Sequence, residues 1–91
     1  MTVPALSRRI LVVDDDPRLL ELYMEALTSA GYQVTACSNG RAALEALRQD
    51  TYDAVLSDIQ MPDTDGIGLL RGIRERDADL PVVLMTGTPS L

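Results

Sequence analysis

Three aspartates, one more aspartate and a threonine are the groups in this 91-residue chain best placed to do chemistry. The run Asp14-Asp15-Asp16 directly follows the apolar stretch Ile10-Leu11-Val12-Val13, Asp58 closes Ala54-Val55-Leu56-Ser57, and Thr86-Gly87 follows Val82-Val83-Leu84-Met85. Taken singly, each is what loop polarity and helix capping produce anywhere. Asp16, ahead of Pro17, reads as a helix N-cap, which leaves Asp14, Asp15 and Asp58 free. Three carboxylates brought together repel and raise one another's pKa unless a cation compensates. Hard oxygen donors without His or Cys suit Mg²⁺ or Mn²⁺ with several waters retained. A hydroxyl at Thr86, with an open approach at Gly87, completes a set suited to phosphoryl transfer. In that chemistry a metal neutralises phosphate oxygens, a carboxylate attacks in line and the covalent product is an aspartyl phosphate.

Those groups meet only if the elements around them fold in a particular way. Ile10–Val13 is a continuous β-branched run, as in a strand buried on both faces of a parallel sheet. The spacing predicts a helix from Pro17 to about Ala30, with Leu19, Leu20, Tyr23, Met24 and Leu27 on its apolar stripe and Gly31 as its stop. Tyr32–Cys37 alternates like a half-exposed edge strand. Ser38-Asn39 caps a helix over Gly40–Gln49, whose core face is Ala43, Leu44 and Leu47. Ala54-Val55-Leu56 reads as a third strand. A polar loop over Gln60–Asp65 follows, and Asp65 caps a third helix to about Arg76 carrying Ile67, Leu69, Leu70 and Ile73. Val82–Met85 reads as a fourth buried strand. Strand–helix alternation of this kind demands right-handed parallel crossovers, hence an open, doubly wound α/β sheet of order 2-1-3-4. Ligands bind such sheets at the carboxyl ends of the strands, where the winding reverses, and every residue named above stands there.

Composition removes other chemistries. With 46% hydrophobic and 24% charged residues the chain is an ordinary globular one, long enough for one domain with a modest core. It contains no His and no Lys, so no Ser-His-Asp or Cys-His pair, no His-based zinc site and no Walker-type lysine is available. A net charge of −6 with 3% aromatic residues argues against direct nucleic-acid binding. Cys37 is the single cysteine, which suits a reducing compartment and inert packing. No apolar run approaches the ~20 residues of a membrane span, so a cytoplasmic protein is expected. Arg71, Arg74 and Arg76 read as a solvated face beside Glu75 and Asp77.

Three stretches carry a family resemblance: Ile10–Pro17, Asp58-Ile59-Gln60-Met61-Pro62-Asp63-Thr64-Asp65-Gly66, and Pro81–Gly87. In order and spacing the chain from Arg9 onward resembles the receiver domain of two-component response regulators, a flavodoxin-like fold. The resemblance implies a signal-transduction phosphoacceptor, with Asp58 taking a phosphoryl group from a sensor histidine kinase or phosphotransfer protein. Asp15 would ligate Mg²⁺ (or Mn²⁺) directly, Asp14 would do so through water, and Gln60 through its backbone carbonyl. Thr86 would be the switch hydroxyl, Gly87 the small residue admitting the phosphodonor. Such a module is not an enzyme beyond its own Mg²⁺-dependent phosphorylation and dephosphorylation.

Departures from the family pattern set further expectations. The family's phosphate-pairing Lys, fourth helix, fifth strand and fifth helix have no counterpart here, and Thr88-Pro89-Ser90 reads as a helix start left unfinished. Residues 9–91 thus read as an incomplete receiver domain behind a flexible segment, 1–8. Phosphorylation is expected to be impaired, and a homo-oligomer through an open fourth-strand edge is expected. Two other functions compete: an interaction-only pseudo-receiver that is never phosphorylated, and a small phosphohydrolase using an aspartyl nucleophile.

Overall fold

The computed structural model describes residues 8–58 and 66–85. Seven elements alternate along them: β1 (Arg9–Val13), α1 (Pro17–Ser29), β2 (Gln33–Cys37), α2 (Gly40–Gln49), β3 (Ala54–Asp58), α3 (Gly66–Arg76) and β4 (Val82–Met85). The strands form one parallel sheet in the order β2-β1-β3-β4, the order expected from the sequence. Register places Val13 beside Cys37 on one side and Ser57 on the other, and Asp58 beside Met85.

Local chemistry sets the element ends. Asp16 is extended and its carboxylate accepts from the Arg18 amide at 2.9 Å, so it is the N-cap with Pro17 first in the helix. The far end of α1 closes as a Schellman turn: the Tyr32 amide reaches the Leu27 carbonyl at 3.0 Å and the Gly31 amide reaches that of Thr28 at 3.0 Å. Gly31 there has φ +100°, a conformation that a side chain would strain. Asn39 caps α2 through the Ala42 amide at 2.8 Å.

One face of the sheet is closed and the other is partly open. Leu11, Val13 and Val55 point toward α2 and α3 and, with Ala43, Leu69, Ile73 and Leu80, form the buried core, with Cys37, Leu44, Leu47 and Val82 packed against it. Burying each large aliphatic side chain contributes about 1.5–3 kcal/mol, so this face supplies most of the fold's driving force. The opposite face carries Ile10, Val12 and Leu56 and is covered over β1 and β2 by α1, a helix with no fully buried residue. Three sequence expectations need correction here. Met24 lies at the edge of the α1 stripe and is exposed, Ile67 in the first turn of α3 is 49% exposed, and β4 is only half buried because Val83 points to the α1 side. Periodicity identifies an apolar stripe but not whether something covers it. Arg74 is exposed, as expected of that face, and its guanidinium donates to the backbone carbonyls of Asp77 (3.2 Å) and Leu80 (2.6 Å), tying the end of α3 to the turn before β4.

Candidate functional site

The site is made where β1 and β3, neighbours in the sheet, reach their carboxyl ends. The Asp14 amide extends the β1–β2 ladder by donating to the Cys37 carbonyl at 3.1 Å, which fixes the backbone one residue past the strand. The Asp14 carboxylate folds back to accept from the Asp16 amide at 2.9 Å, and its side chain is 2% exposed. Asp15 is exposed at the turn. Asp58 ends β3, and strand alternation turns it away from Ser57, whose hydroxyl is buried and donates to the Asp58 carbonyl at 3.0 Å.

These constraints bring one carboxylate oxygen each from Asp14, Asp15 and Asp58 within 4.8 Å of one another. The three side chains singled out from the sequence therefore converge. Among the described residues no guanidinium pairs with them; Arg18, the nearest by sequence, lies 3.7 Å from Asp16 instead. Burial pushes the Asp14 carboxyl above 3.8 and the charges of Asp58, Asp15 and Asp16 push it further, against the opposing pull of the Asp16 amide. An uncompensated anionic nook of hard oxygens, part buried and part open, fits a divalent cation such as Mg²⁺ that keeps some of its water. Asp15 is free to turn toward an ion at little cost, whereas Asp14 is already held.

Gln60, Thr86 and Gly87, together with the proposed cap Asp65 and the segment 1–7, lie outside the described residues. Cys37 belongs to the core side of β2, and burial raises its thiol pKa, consistent with packing rather than reactivity. Sequence reading missed one neighbour of the site. Tyr23 stands on the α1 stripe among leucines, yet its phenol is raised above 10.0 by burial and by the fields of Asp14, Asp58 and Asp16. A hydroxyl-bearing aromatic seven residues after a helix N-cap was the available signal, since helical side chains lean back toward the N-terminus.

Comparison with known proteins agrees with this architecture. The family model for the response regulator receiver domain matches residues 10–90. The two-component response regulator ARR11 of Arabidopsis thaliana is 46% identical over 80 residues, covering 86% of this chain but 15% of that protein's length. The crystal structure of response regulator TrrA from Thermotoga maritima in complex with Mg²⁺ and BeF superposes with a TM-score of 0.85 at 38% identity, over 89% of this chain and 70% of that one. TrrA in complex with the histidine kinase ThkA gives 0.84 at 37% identity, over 91% of this chain and 72% of that one. This chain thus spans about a seventh of the plant regulator and over two thirds of a solved receiver. A parallel 2-1-3-4 sheet, an acidic nook at its carboxyl end and a family match across nearly every residue lead to one conclusion: the chain belongs to the response regulator receiver domain family.

Proposed function

We propose that this domain accepts a phosphoryl group on Asp58 from the phosphohistidine of a sensor kinase or phosphotransfer protein, in an Mg²⁺-dependent reaction. The observation that carries this reading is the convergence of Asp14, Asp15 and Asp58 within 4.8 Å with no cation paired to them among the described residues. A bound Mg²⁺ would be held by these three carboxylates and would neutralise the oxygens of the incoming phosphoryl group. A carboxylate oxygen of Asp58 attacks phosphorus in line as the bond from phosphorus to the donor breaks, the donor leaving with that electron pair. Asp14, held by the Asp16 amide, keeps its place while charge is redistributed, so little reorganisation accompanies transfer. By family resemblance the Gln60 carbonyl would add a metal ligand, Thr86 would contact the product and Gly87 would leave room for the donor.

The complexes of TrrA with ThkA and with Mg²⁺ and BeF support a kinase partner and this ion for a relative. Incubation with Mg²⁺ and acetyl phosphate should add the mass of one phosphoryl group to the protein, with acetate released. Chelation of Mg²⁺ or Asp58→Asn should abolish the gain. A wild-type protein that never gains this mass, while Mg²⁺ and BeF leave its thermal stability unmoved, would instead be an interaction-only receiver.

A further inference from the structure

Among the described residues the buried polar side chains are Asp14, Ser57 and Asp58, all at the carboxyl end of the sheet, and the reading above uses the two acids but not the serine. We propose that Ser57 is a positioning residue of the phosphoacceptor: its hydroxyl fixes the backbone on both sides of the Asp58 Cα atom and thereby aims the carboxylate. The proposal rests on the phosphoacceptor reading and adds to it a residue that acts through Asp58, from the opposite face of the strand.

Ser57 stands on the closed face of the sheet, in register between Val13 of β1 and Leu84 of β4, and is 0% exposed. Alternation turns the Asp58 side chain to the other face, so the hydroxyl reaches Asp58 through its backbone. It donates to the Asp58 carbonyl at 3.0 Å, and among the described residues this is its one hydrogen bond. The covalent path between those two oxygens turns about χ1 and ψ of Ser57 and then φ and ψ of Asp58, the peptide between them being planar. The hydrogen bond closes that path and ties these rotations together. Of them, ψ of Ser57 and φ of Asp58 set where the Asp58 Cα–Cβ bond points relative to β3.

Asp58 needs such a hold. The β1–β3 register ends with Val13 beside Ser57, so Asp58 lies one residue past its last pair with β1 and is paired on the β4 side alone, with Met85. Asp14, also one residue past its strand, is held twice, by its amide on the Cys37 carbonyl and by its carboxylate on the Asp16 amide. Among the described residues no donor engages the Asp58 carboxylate. In-line attack tolerates little misplacement of the nucleophile, so the fixing of Asp58 falls to its backbone. Packing does not ask for a hydroxyl at position 57: Val55, Val13 and Leu84 around it are apolar, and an alanine would carry no desolvation cost. A hydroxyl buried there has to be satisfied, and the carbonyl that satisfies it belongs to the residue that attacks. No bond to Ser57 forms or breaks in the transfer, and its proton stays on the hydroxyl.

Ser57→Ala deletes the donor and little else. In saturating Mg²⁺, which removes any difference in metal affinity from the rate, the variant should take up the phosphoryl group of acetyl phosphate about tenfold more slowly than wild type, followed by intact mass. Ser57→Thr keeps a hydroxyl and should restore most of the rate. Circular dichroism checks that each protein is folded at the assay temperature. Where Ser57→Ala is not, Ser57→Val takes its place, since valine matches threonine in shape and lacks only the hydroxyl. A folded variant without the hydroxyl that is phosphorylated as fast as wild type would overturn the proposal, whatever its melting temperature. So would a Ser57→Thr protein as slow as the variant without the hydroxyl, which would make Ser57 a packing residue. Wild-type protein that gains no phosphoryl mass would defeat the phosphoacceptor reading itself, a result distinct from a normal wild type with an equally fast Ser57→Ala.

Discussion

Aspartates gather at both ends of this sheet, but only one of the two groups is electrically settled. At the amino end, the Arg9 guanidinium lies 3.5 Å from the Asp50 carboxylate and 5.0 Å from the centre of the Tyr52 ring. Asp53 accepts from the Arg9 amide at 2.7 Å and donates its own amide to the Arg9 carbonyl at 2.7 Å. Asp50, an acid at the C-cap of α2 where the helix dipole disfavours negative charge, has its counter-charge supplied from β1. At the carboxyl end, Asp14, Asp15 and Asp58 crowd within 4.8 Å, and no described guanidinium comes to them. Acids that serve only the fold are given partners by the fold. Acids left in mutual repulsion, at a position the topology reserves for ligands, cost stability that a ligand can return.

The sharpest way to break this comparison is to remove one charge from each end. Asp14→Asn keeps an oxygen to accept from the Asp16 amide while removing a buried negative charge. In chelator it should therefore melt higher than wild type, by ~4–8 °C if relief of repulsion is worth about 1 kcal/mol. The same change should weaken Mg²⁺ binding by about tenfold or more, because the metal loses a carboxylate. Wild type should gain ~2.7 kcal/mol when Mg²⁺ reaches a hundred times its dissociation constant, and the variant should gain much less at that concentration. Thermal melts with and without the ion check both halves. A variant that is destabilised in chelator would show that the nook is a structural network after all.

Much of this asymmetry could be read in the residues, and the unreadable part has a physical cause. Ile10–Val13 could only be an interior strand, Asp16-Pro17 and Asn39 could only open helices, and Gly31 had to close one; from these the winding and the meeting of Asp14, Asp15 and Asp58 follow. The pairing of Arg9 with Asp50 and Tyr52 could not be read, because it depends on how β1 sits against the ends of α2 and β3, and nothing local links position 9 to position 50. Met24, Ile67 and Val83 looked like core for a related reason: a stripe is local, but its cover is tertiary. Tyr23 was hidden by its neighbours, since a tyrosine among leucines satisfies the apolar pattern whether or not its hydroxyl has work to do.

Acidity sharpens the comparison with a smaller effect. In the folded chain the Asp14 carboxyl titrates above its ordinary 3.8, raised first by burial and then by the neighbouring aspartates. Between 3.8 and that raised value the folded state binds the proton more tightly than the unfolded state, so this group adds stability as pH falls and takes it away as pH rises. The melting difference between Asp14→Asn and wild type in chelator should shrink on going from about pH 7 toward pH 4, as Asp14 itself becomes neutral. Saturating Mg²⁺ should flatten the wild-type trend over the same range, because the ion takes over the proton's role. A difference that stays constant across this range would mean that repulsion at Asp14 contributes nothing.

The amino end should give the smallest response, and its smallness is what the comparison requires. Arg9→Met preserves the apolar stem over Tyr52 and the amide that Asp53 accepts, removing only the guanidinium. The Arg9 and Asp50 side chains are 36% and 53% exposed, so water already screens their attraction and the ion pair is worth ~0.2–1 kcal/mol. The cation–π contact at such a site adds about 0.5–1 kcal/mol. A loss of roughly 1 kcal/mol in denaturant melts, partly recovered by Asp50→Asn in the same chain because the unpaired acid at the end of α2 is then gone, is the expected result. Mg²⁺ affinity and phosphoryl uptake should not move, since the whole length of β1 separates Arg9 from Asp14. If Arg9→Met did weaken Mg²⁺ binding, the two ends would be coupled through that strand, and the division between acids that hold the fold and acids that hold a ligand would have to be abandoned.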